Sequence, residues 1–202
     1  MSLSPGAQDL VVALHGIGAF RFGDFVLKDG RHSPFYVDLR GVISHSEVLA
    51  QAARELLAVS SHLRFDRIAG IPYAGLPLGV AMSLEGNRPL IYPRKEVKDY
   101  GTKKRVEGLY AAGERALVVD DVITTGSAKI EAVEPLRRAG LIVEDIVVVV
   151  DRQQGAEAIL SKNGLRLHRV FRVAEALDCL ESSGRISRDE AARSRAFLQR
   201  PA

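Results

Sequence analysis

The chain has 202 residues, of which 47% are hydrophobic, so it can bury one full core without disulfide or metal staples. Its formal net charge is +3, and the basic residues concentrate between Arg94 and Arg105, beside two acids and without a series of aromatic residues. Proteins that track nucleic acid need an extended basic surface with stacking rings, so this distribution favours a local anionic ligand instead.

The single cysteine, Cys179, can form no internal disulfide, and it lies in the apolar stretch 176–180. We expect it to fill space in a helix, within a reducing compartment. The first residues lack the basic-then-apolar layout of a signal peptide, and the most apolar run, 146–150, is too short to span a bilayer. The sequence therefore predicts a soluble, cytoplasmic protein without a membrane partner.

The first forty residues contain two strand candidates, 22–27 and 35–39, which predict a small β-containing cap over about 1–42. Residues 44–47 read SHSE, which has the spacing of a capping box, and apolar residues recur behind it at helical intervals. We therefore expect a helix that is capped by Ser44.

Strands and helices alternate along the rest of the chain. The predicted elements are strand 67–70, helix 76–84, strand 90–92, strand 117–119, helix 128–139 ended by Gly140, and strand 146–150. The last strand is wholly apolar, as are strands that are buried on both faces of a parallel sheet. The alternation predicts one α/β domain with a mostly parallel central sheet, a core at about 43–175 and a charged, helical tail at about 176–202.

Residues 117–128 read LVVDDVITTGSA, a buried strand followed by two carboxylates, a hydroxyl-rich turn and a helix. Such a turn can surround a phosphate at the helix N-terminus, although neither a Walker loop nor a dinucleotide fingerprint is present. Two acids beside a phosphate would repel it, so Asp120 and Asp121 must face ribose hydroxyls or a metal ion. The alternative is an ordinary strand-to-helix turn with a solvated acid pair.

This segment resembles the motif with which type I phosphoribosyltransferases bind phosphoribosyl pyrophosphate (PRPP). The resemblance implies the type I phosphoribosyltransferase fold, with the acids at the ribose hydroxyls and the turn around the 5-phosphate. The PRPP-binding residues implied here are Asp120, Asp121, Val122, Ile123, Thr124, Thr125, Gly126, Ser127 and Ala128.

Residues 27–36, which read LKDGRHSPFY, are similar to a signature of the orotate phosphoribosyltransferases. By that resemblance Lys28, Phe35 and Tyr36 border the pyrimidine. Orotate is a flat acid, so a cation and an aromatic wall suit it. Taken alone, the segment reads equally well as a surface hairpin with a salt-bridged lysine.

Residues 151–155, DRQQG, follow the apolar strand and are similar to a turn of the same family. The resemblance implies that Arg152 binds orotate, helped by Thr124, and its planar fork suits carboxylate and carbonyl oxygens. Ligands of open α/β sheets lie beyond the carboxyl ends of the strands, where Asp121 and Arg152 both fall. By itself, an arginine after a strand is more often a structural ion pair.

Residues 94–103, RKEVKDYGTK, resemble the family's mobile catalytic loop, although a solvated run of charge is the usual interpretation of such a stretch. The resemblance implies a homodimer in which the loop 94–108 closes over the neighbouring active site. Arg94, Lys95 and Lys98 would then stabilise pyrophosphate as it leaves, with Lys98 the most important for the rate.

Residues 71–75, IPYAG, correspond to the family's pyrophosphate loop, which implies PRPP contacts at Tyr73 and Ala74 and, in the mobile loop, at Tyr100. Many bacterial members have lysine in place of Ala74 and histidine in place of Tyr100. Both departures are closer to the orotate domain of eukaryotic UMP synthase, and they leave the individual roles of these two residues open.

As the resemblance implies, a ring nitrogen of orotate attacks the anomeric carbon of PRPP without a protein nucleophile. Mg²⁺ would be held by PRPP and water near Asp120 and Asp121, with no direct protein ligand. The histidines show no metal-ligand spacing: we expect His15 and His168 to be structural and His32 and His45 to be on the surface. Two rival hypotheses are a transferase for another base and a non-catalytic regulator that binds PRPP or nucleic acid.

Overall fold

A computed structural model of the chain describes residues 3–26, 30–95 and 105–199. The first element is a helix that the sequence patterns did not predict, α1 (Pro5–Gly16). Ser4 caps it by accepting a hydrogen bond from the backbone N–H of Ala7, and Pro5 occupies its first turn, where the missing N–H costs nothing. Its apolar face, which includes Leu10 and Leu14, is fully buried in the core.

The predicted β-containing cap is an antiparallel pair, β1 (Phe20–Val26) and β2 (His32–Val37), with a bulge between Phe22 and Phe25. Phe35 on β2 is fully buried, and its ring meets that of Phe197 edge-on at 5.9 Å. The C-terminal part of the chain therefore anchors this hairpin to the rest of the protein.

The capping box predicted at Ser44 is wrong. Ser44 is the last residue of a 3₁₀ helix (Arg40–Ser44), and helix α2 (Ser46–Ser60) begins after His45 without a side-chain cap. The backbone N–H of His45 bonds to the carbonyl of Val42 at 2.9 Å, so Ser44 still belongs to the preceding turn when α2 begins.

The main sheet has six strands in the order β5-β4-β3-β6-β7-β8, parallel except for the edge pair β4–β5. Its strands are β3 (Arg67–Gly70), β4 (Leu90–Pro93), β5 (Val106–Glu107), β6 (Arg115–Ile123), β7 (Ile142–Asp151) and β8 (Arg166–Arg172). The remaining helices are α3 (Gly75–Gly86), α4 (Ser127–Arg138), α5 (Ala156–Lys162), α6 (Val173–Ser182) and α7 (Arg188–Leu198). The predicted α/β class and the mostly parallel sheet are confirmed, and α7 lies in the predicted tail segment 176–202.

Two apolar layers cover the sheet. One contains side chains of α1, α2, α3, α6, α7 and the hairpin, and the other contains those of α4 and α5. Alternate residues of β7 enter opposite layers, Val147 and Val149 on one side and Ile146 and Val148 on the other. This double burial explains the continuous apolar run that was visible in the sequence.

Cys179 lies on α6 and is half-buried against the first layer, where burial raises the pKa of its thiol. A thiol in such surroundings behaves as a small apolar group, as predicted. Within the described ranges, no helix has both the length and the apolarity to cross a membrane.

Candidate active site

The candidate site lies at the carboxyl ends of β3, β6 and β7. Ile123 on β6 pairs with Asp151 on β7, and the backbone N–H of Arg152 donates to the carbonyl of Ile123 at 2.9 Å. The two motifs that the sequence suggested separately, the acid pair with its phosphate turn and Arg152, are therefore neighbours. Strand β6 also runs beyond the predicted end at 119, because Val122 still pairs with Val150.

Asp120 is a buried acid, only 5% exposed, and both of its carboxylate oxygens have partners. One oxygen accepts the backbone N–H of Asp121 at 2.9 Å, and the other forms an ion pair with Lys129 of α4. The beginning of α3 packs directly on this part of the strand. A Cβ atom on Gly75 would lie 2.3 Å from the carbonyl oxygen of Val119, so only glycine fits there.

Asp121 is half-buried, and its Oδ1 accepts the backbone N–H of Val122 at 2.7 Å. Burial first, and then the charge of Asp120, raise the pKa of Asp121 to about 7. The two adjacent acids thus differ: one is enclosed in an ion pair, and the other can exchange its proton near neutral pH.

The predicted phosphate turn leads into the N-terminus of α4. Gly126 has a φ of +88° and precedes the helix, and its carbonyl accepts the backbone N–H of Lys129 at 3.0 Å. In the part of the chain that the structure describes, no side chain caps α4, and its first turn contains no acid. Thr125, Ser127 and Ala128 are exposed around this end, which leaves its N–H groups and positive dipole available to an anion.

Arg152 contacts the hairpin. Its guanidinium carbon lies 5.7 Å from the ring centroid of Phe35, which is fully buried and so supports the arginine from below. The turn that carries Arg152 is braced on both sides: Gln153, at a φ of +58°, donates its N–H to Asp151 and accepts the N–H of Ala174. Asp151 in turn lies 3.2 Å from the guanidinium of Arg169.

Tyr36 lies on the other side of β2 from Phe35. Its ring is 5.7 Å from that of Phe25, and the guanidinium of Arg21 lies 5.3 Å from its centroid. The ion pair with Asp38 does most to raise the pKa of Arg40, and the charges of Tyr36 and Asp121 raise it further, so Tyr36 and Asp121 both lie near this cation. Lys28, the third predicted orotate contact, lies outside the described residues.

The base of the loop 94–108 is held in a clasp that consists of β4, β5 and Arg94. The N–H of Arg94 donates to the carbonyl of Arg105 at 2.8 Å, and its guanidinium donates to Glu107 at 2.9 Å. Lys95 places its ammonium 4.9 Å from the ring centroid of Tyr73. The clasp therefore brings the start of this loop beside the predicted pyrophosphate loop, in which Ala74 directly precedes α3.

Lys98 and Tyr100 lie outside the described residues. Sequence reasoning also missed two charged partners, Lys129 and Glu107. Each pairs with a predicted site residue, at a sequence separation that no motif marks.

The histidines lie as expected. His15 hydrogen-bonds the carbonyl of Phe20 at 3.2 Å, and His168 hydrogen-bonds Asp145 at 2.8 Å, whereas His32 and His45 are exposed. Among the described residues, no group of three or more histidine, cysteine or acidic side chains could hold a metal ion.

Comparison with known proteins assigns this architecture to a family. Residues 43–178 match the model of the phosphoribosyl transferase domain. The chain therefore belongs to the phosphoribosyl transferase family, within its orotate phosphoribosyltransferase branch, as the following relatives show.

The chain is 45% identical over 180 residues to the orotate phosphoribosyltransferase of Cenarchaeum symbiosum, an alignment that covers 87% of this chain and 90% of the relative. It is 41% identical over 192 residues to uridine 5'-monophosphate synthase of Bos taurus, covering 94% of this chain and 40% of that protein. The structure of Leishmania donovani UMP synthase superposes with a TM-score of 0.87 at 44% identity, over 95% of this chain and 42% of that one. The chain thus spans about two fifths of the length of these synthases.

Proposed function

We propose that this chain transfers the 5-phosphoribosyl group of PRPP to orotate, giving orotidine 5'-monophosphate and pyrophosphate in the synthesis of UMP. The pairing of β6 with β7 carries the proposal, because it sets the acid pair and the phosphate turn beside Arg152. The names of the relatives support the same reaction.

In this proposal the PRPP 5-phosphate binds at the open N-terminus of α4, held by the N–H groups and hydroxyls of residues 124–128. Its ribose meets the acid pair, and its pyrophosphate lies near Tyr73, Ala74 and the clasp. Orotate pairs with Arg152, whose guanidinium matches a carboxylate in a bidentate way. Phe35 supports that arginine, while Thr124, Tyr36 and Lys28 complete the pyrimidine site.

The proposed reaction needs no protein nucleophile. A lone pair on an orotate ring nitrogen forms the bond to the anomeric carbon, and the bond from that carbon to pyrophosphate breaks with its electrons leaving on oxygen. The protein positions the two substrates and stabilises the growing negative charge on the leaving group. We assign the second task to Arg94, Lys95 and Lys98. The first two stand at the clasp.

We also propose Mg²⁺ as the cofactor, and its chemistry when bound is to neutralise charge on pyrophosphate. The site suits such an ion, because the acid pair offers only oxygen donors. Both oxygens of Asp120 are already occupied by Lys129 and a backbone N–H. This arrangement favours an ion held by PRPP and water, with Asp121 nearby.

A homodimer with a shared loop 94–108 is part of the proposal. Large apolar side chains are exposed on and just before α3: Tyr73 is 65% exposed, Val80 43% and Leu84 79%. Large apolar side chains that are exposed close together in the sequence favour a protein–protein contact on this helix. Because Lys95 lies against Tyr73, a partner on this face would meet the base of the loop. We further propose that the chain is one cytoplasmic domain that acts on small molecules, without nucleic acid.

A panel of bases tests the function. The protein is incubated with PRPP, Mg²⁺ and either orotate, uracil, adenine, hypoxanthine or guanine, and pyrophosphate release is followed. Because Arg152 suits a carboxylated pyrimidine, we expect orotate to react far faster than the other four. Equal or faster turnover of another base would reassign the substrate, and PRPP binding without release for any base would favour the regulator hypothesis.

A further inference from the structure

Lys129 stands inside the candidate site, although no motif assigns it a role. It lies in the first turn of α4, directly after the phosphate turn, and its side chain is only 14% exposed. Its ammonium forms an ion pair with Asp120, whose own side chain is 7% exposed. A lysine and an acid that are both this buried are held by each other, because either charge alone would be costly to bury.

The ion pair makes the two acids of the site unequal. The carboxylate of Asp120 is filled by Lys129 and by the N–H of Asp121. Asp121 uses only Oδ1, for the N–H of Val122, and no described residue donates a hydrogen bond to its other oxygen. Asp121 therefore keeps one oxygen that can accept a hydrogen bond from a ligand.

We propose that Lys129 is a positioning residue for PRPP, which turns Asp120 toward α4 and cancels its charge, so that the acid pair meets the ribose without repelling the phosphates. This inference rests on the proposed function and deepens it. PRPP is a polyanion, and two uncompensated carboxylates beside it would repel it. With Lys129 in place, the acid pair presents one net negative charge instead of two.

Two other roles for Lys129 are possible in principle, and they predict different behaviour. A purely structural ion pair would affect unfolding but not PRPP binding in the folded protein. A direct contact between the ammonium and the PRPP phosphate would matter equally whether or not residue 120 carries a charge. The role proposed here requires the effect of Lys129 to depend on Asp120, which a double-mutant cycle measures.

The test compares Lys129→Met, Lys129→Arg, Asp120→Asn and the double variant Asp120→Asn/Lys129→Met, with thermal unfolding as the check on folding. PRPP dissociation constants are measured by calorimetry, and turnover is measured separately. We expect Lys129→Met to weaken PRPP binding by about ten- to hundredfold, with a smaller effect on turnover. Lys129→Arg should bind within several-fold of the parent, because it restores the charge.

In the Asp120→Asn background, loss of Lys129 should change PRPP affinity by no more than a few-fold. The matched control is Arg138→Met, which removes one positive charge from the other end of α4, where Arg138 forms an exposed ion pair with Glu134. That variant should bind PRPP like the parent.

The proposal is overturned if folded Lys129→Met binds PRPP like the parent, or if Lys129→Met costs as much affinity in the Asp120→Asn background as alone. Should Lys129→Met fail to fold, the Asp120→Asn pair still decides, since an asparagine at position 120 can still accept a hydrogen bond from Lys129 and the double variant buries neither charge. A large loss of affinity between those two would overturn the proposal, and matched affinities together with tight binding by Lys129→Arg would support it. The base panel tests the function separately, and only a parent that binds no PRPP would overturn both.

Discussion

The raised pKa of Asp121 has a measurable consequence for stability. Its ordinary value is 3.8, and burial with the neighbouring charge raises the pKa to about 7 in the folded chain. The folded state therefore holds this proton more tightly than the unfolded state. The contribution of Asp121 to protein stability is highest below about pH 4, where both states are protonated, and it falls as pH rises toward 7, where the folded state must ionise a buried group. About three pH units correspond to a total loss of about 4 kcal/mol.

Asp121→Asn removes this ionisation and should therefore stabilise the free protein. The parent should lose about 2–3 kcal/mol of unfolding free energy through Asp121 between pH 5 and pH 8. This is less than the total of about 4 kcal/mol, because part of the loss occurs below pH 5. We expect the difference in unfolding free energy between Asp121→Asn and the parent to grow by about 2–3 kcal/mol over this range, measured by urea denaturation without PRPP.

The matched control is Asp9→Asn, which removes an exposed carboxylate from α1 and should show no comparable growth. If Asp121→Asn is no more stable than the parent at pH 8, the reasoning is refuted, because the folded site would then solvate the charge without cost.

Three further results are expected. Lys98→Ala should lose roughly 10²–10³-fold in turnover while PRPP affinity stays within several-fold of the parent. The reason is that a charge on the leaving group is stabilised chiefly in the transition state. Near-normal turnover in steady-state assays would reject that role for Lys98. Mixing Lys98→Ala with Asp121→Asn should recover activity through hybrid dimers, and no recovery despite demonstrated subunit exchange would count against a shared site. Gly75→Ala should lower the free energy of unfolding by about 1–3 kcal/mol, because the new Cβ atom would overlap the backbone of β6. Gly41→Ala is the control, since a Cβ atom at that position would have no atom within 4 Å. Equal stability of the two variants would contradict the packing described for Gly75.

Much of the fold was predictable because its strands are short apolar runs that end at recognisable loops. The runs at Arg67–Gly70 and within β7 are examples. What the patterns missed depends on contacts between distant segments. The two residues of β5 form a strand only because β4 lies beside them, and β6 continues past 119 because β7 continues too. The cap at Ser44 failed because a 3₁₀ turn, which leaves no periodic signal, occupies that residue.

The candidate site, too, could be predicted from the sequence only in part. Its motif residues, among them Asp121 and Arg152, could be named from the sequence, and the structure sets them at the ends of adjoining strands. The partners that adjust them could not. Lys129 contacts Asp120 because α4 folds back over the end of β6, and Glu107 contacts Arg94 because β4 and β5 are antiparallel. Such ion pairs depend on the tertiary structure, so motifs in a single sequence do not predict them.

The clasp at the base of the loop 94–108 has a consequence for how this protein can evolve. Arg94 and Arg105 are joined through the backbone, and Arg94 and Glu107 through their side chains, so the chain leaves the sheet and returns to it at one point. The free energy of closing a loop depends only weakly on its length, and each doubling costs about 0.6 kcal/mol. Insertions or exchanges in the segment 96–104 can therefore accumulate with little effect on the stability of the sheet. Selection can adjust the length and charge of this segment while the α/β scaffold stays the same.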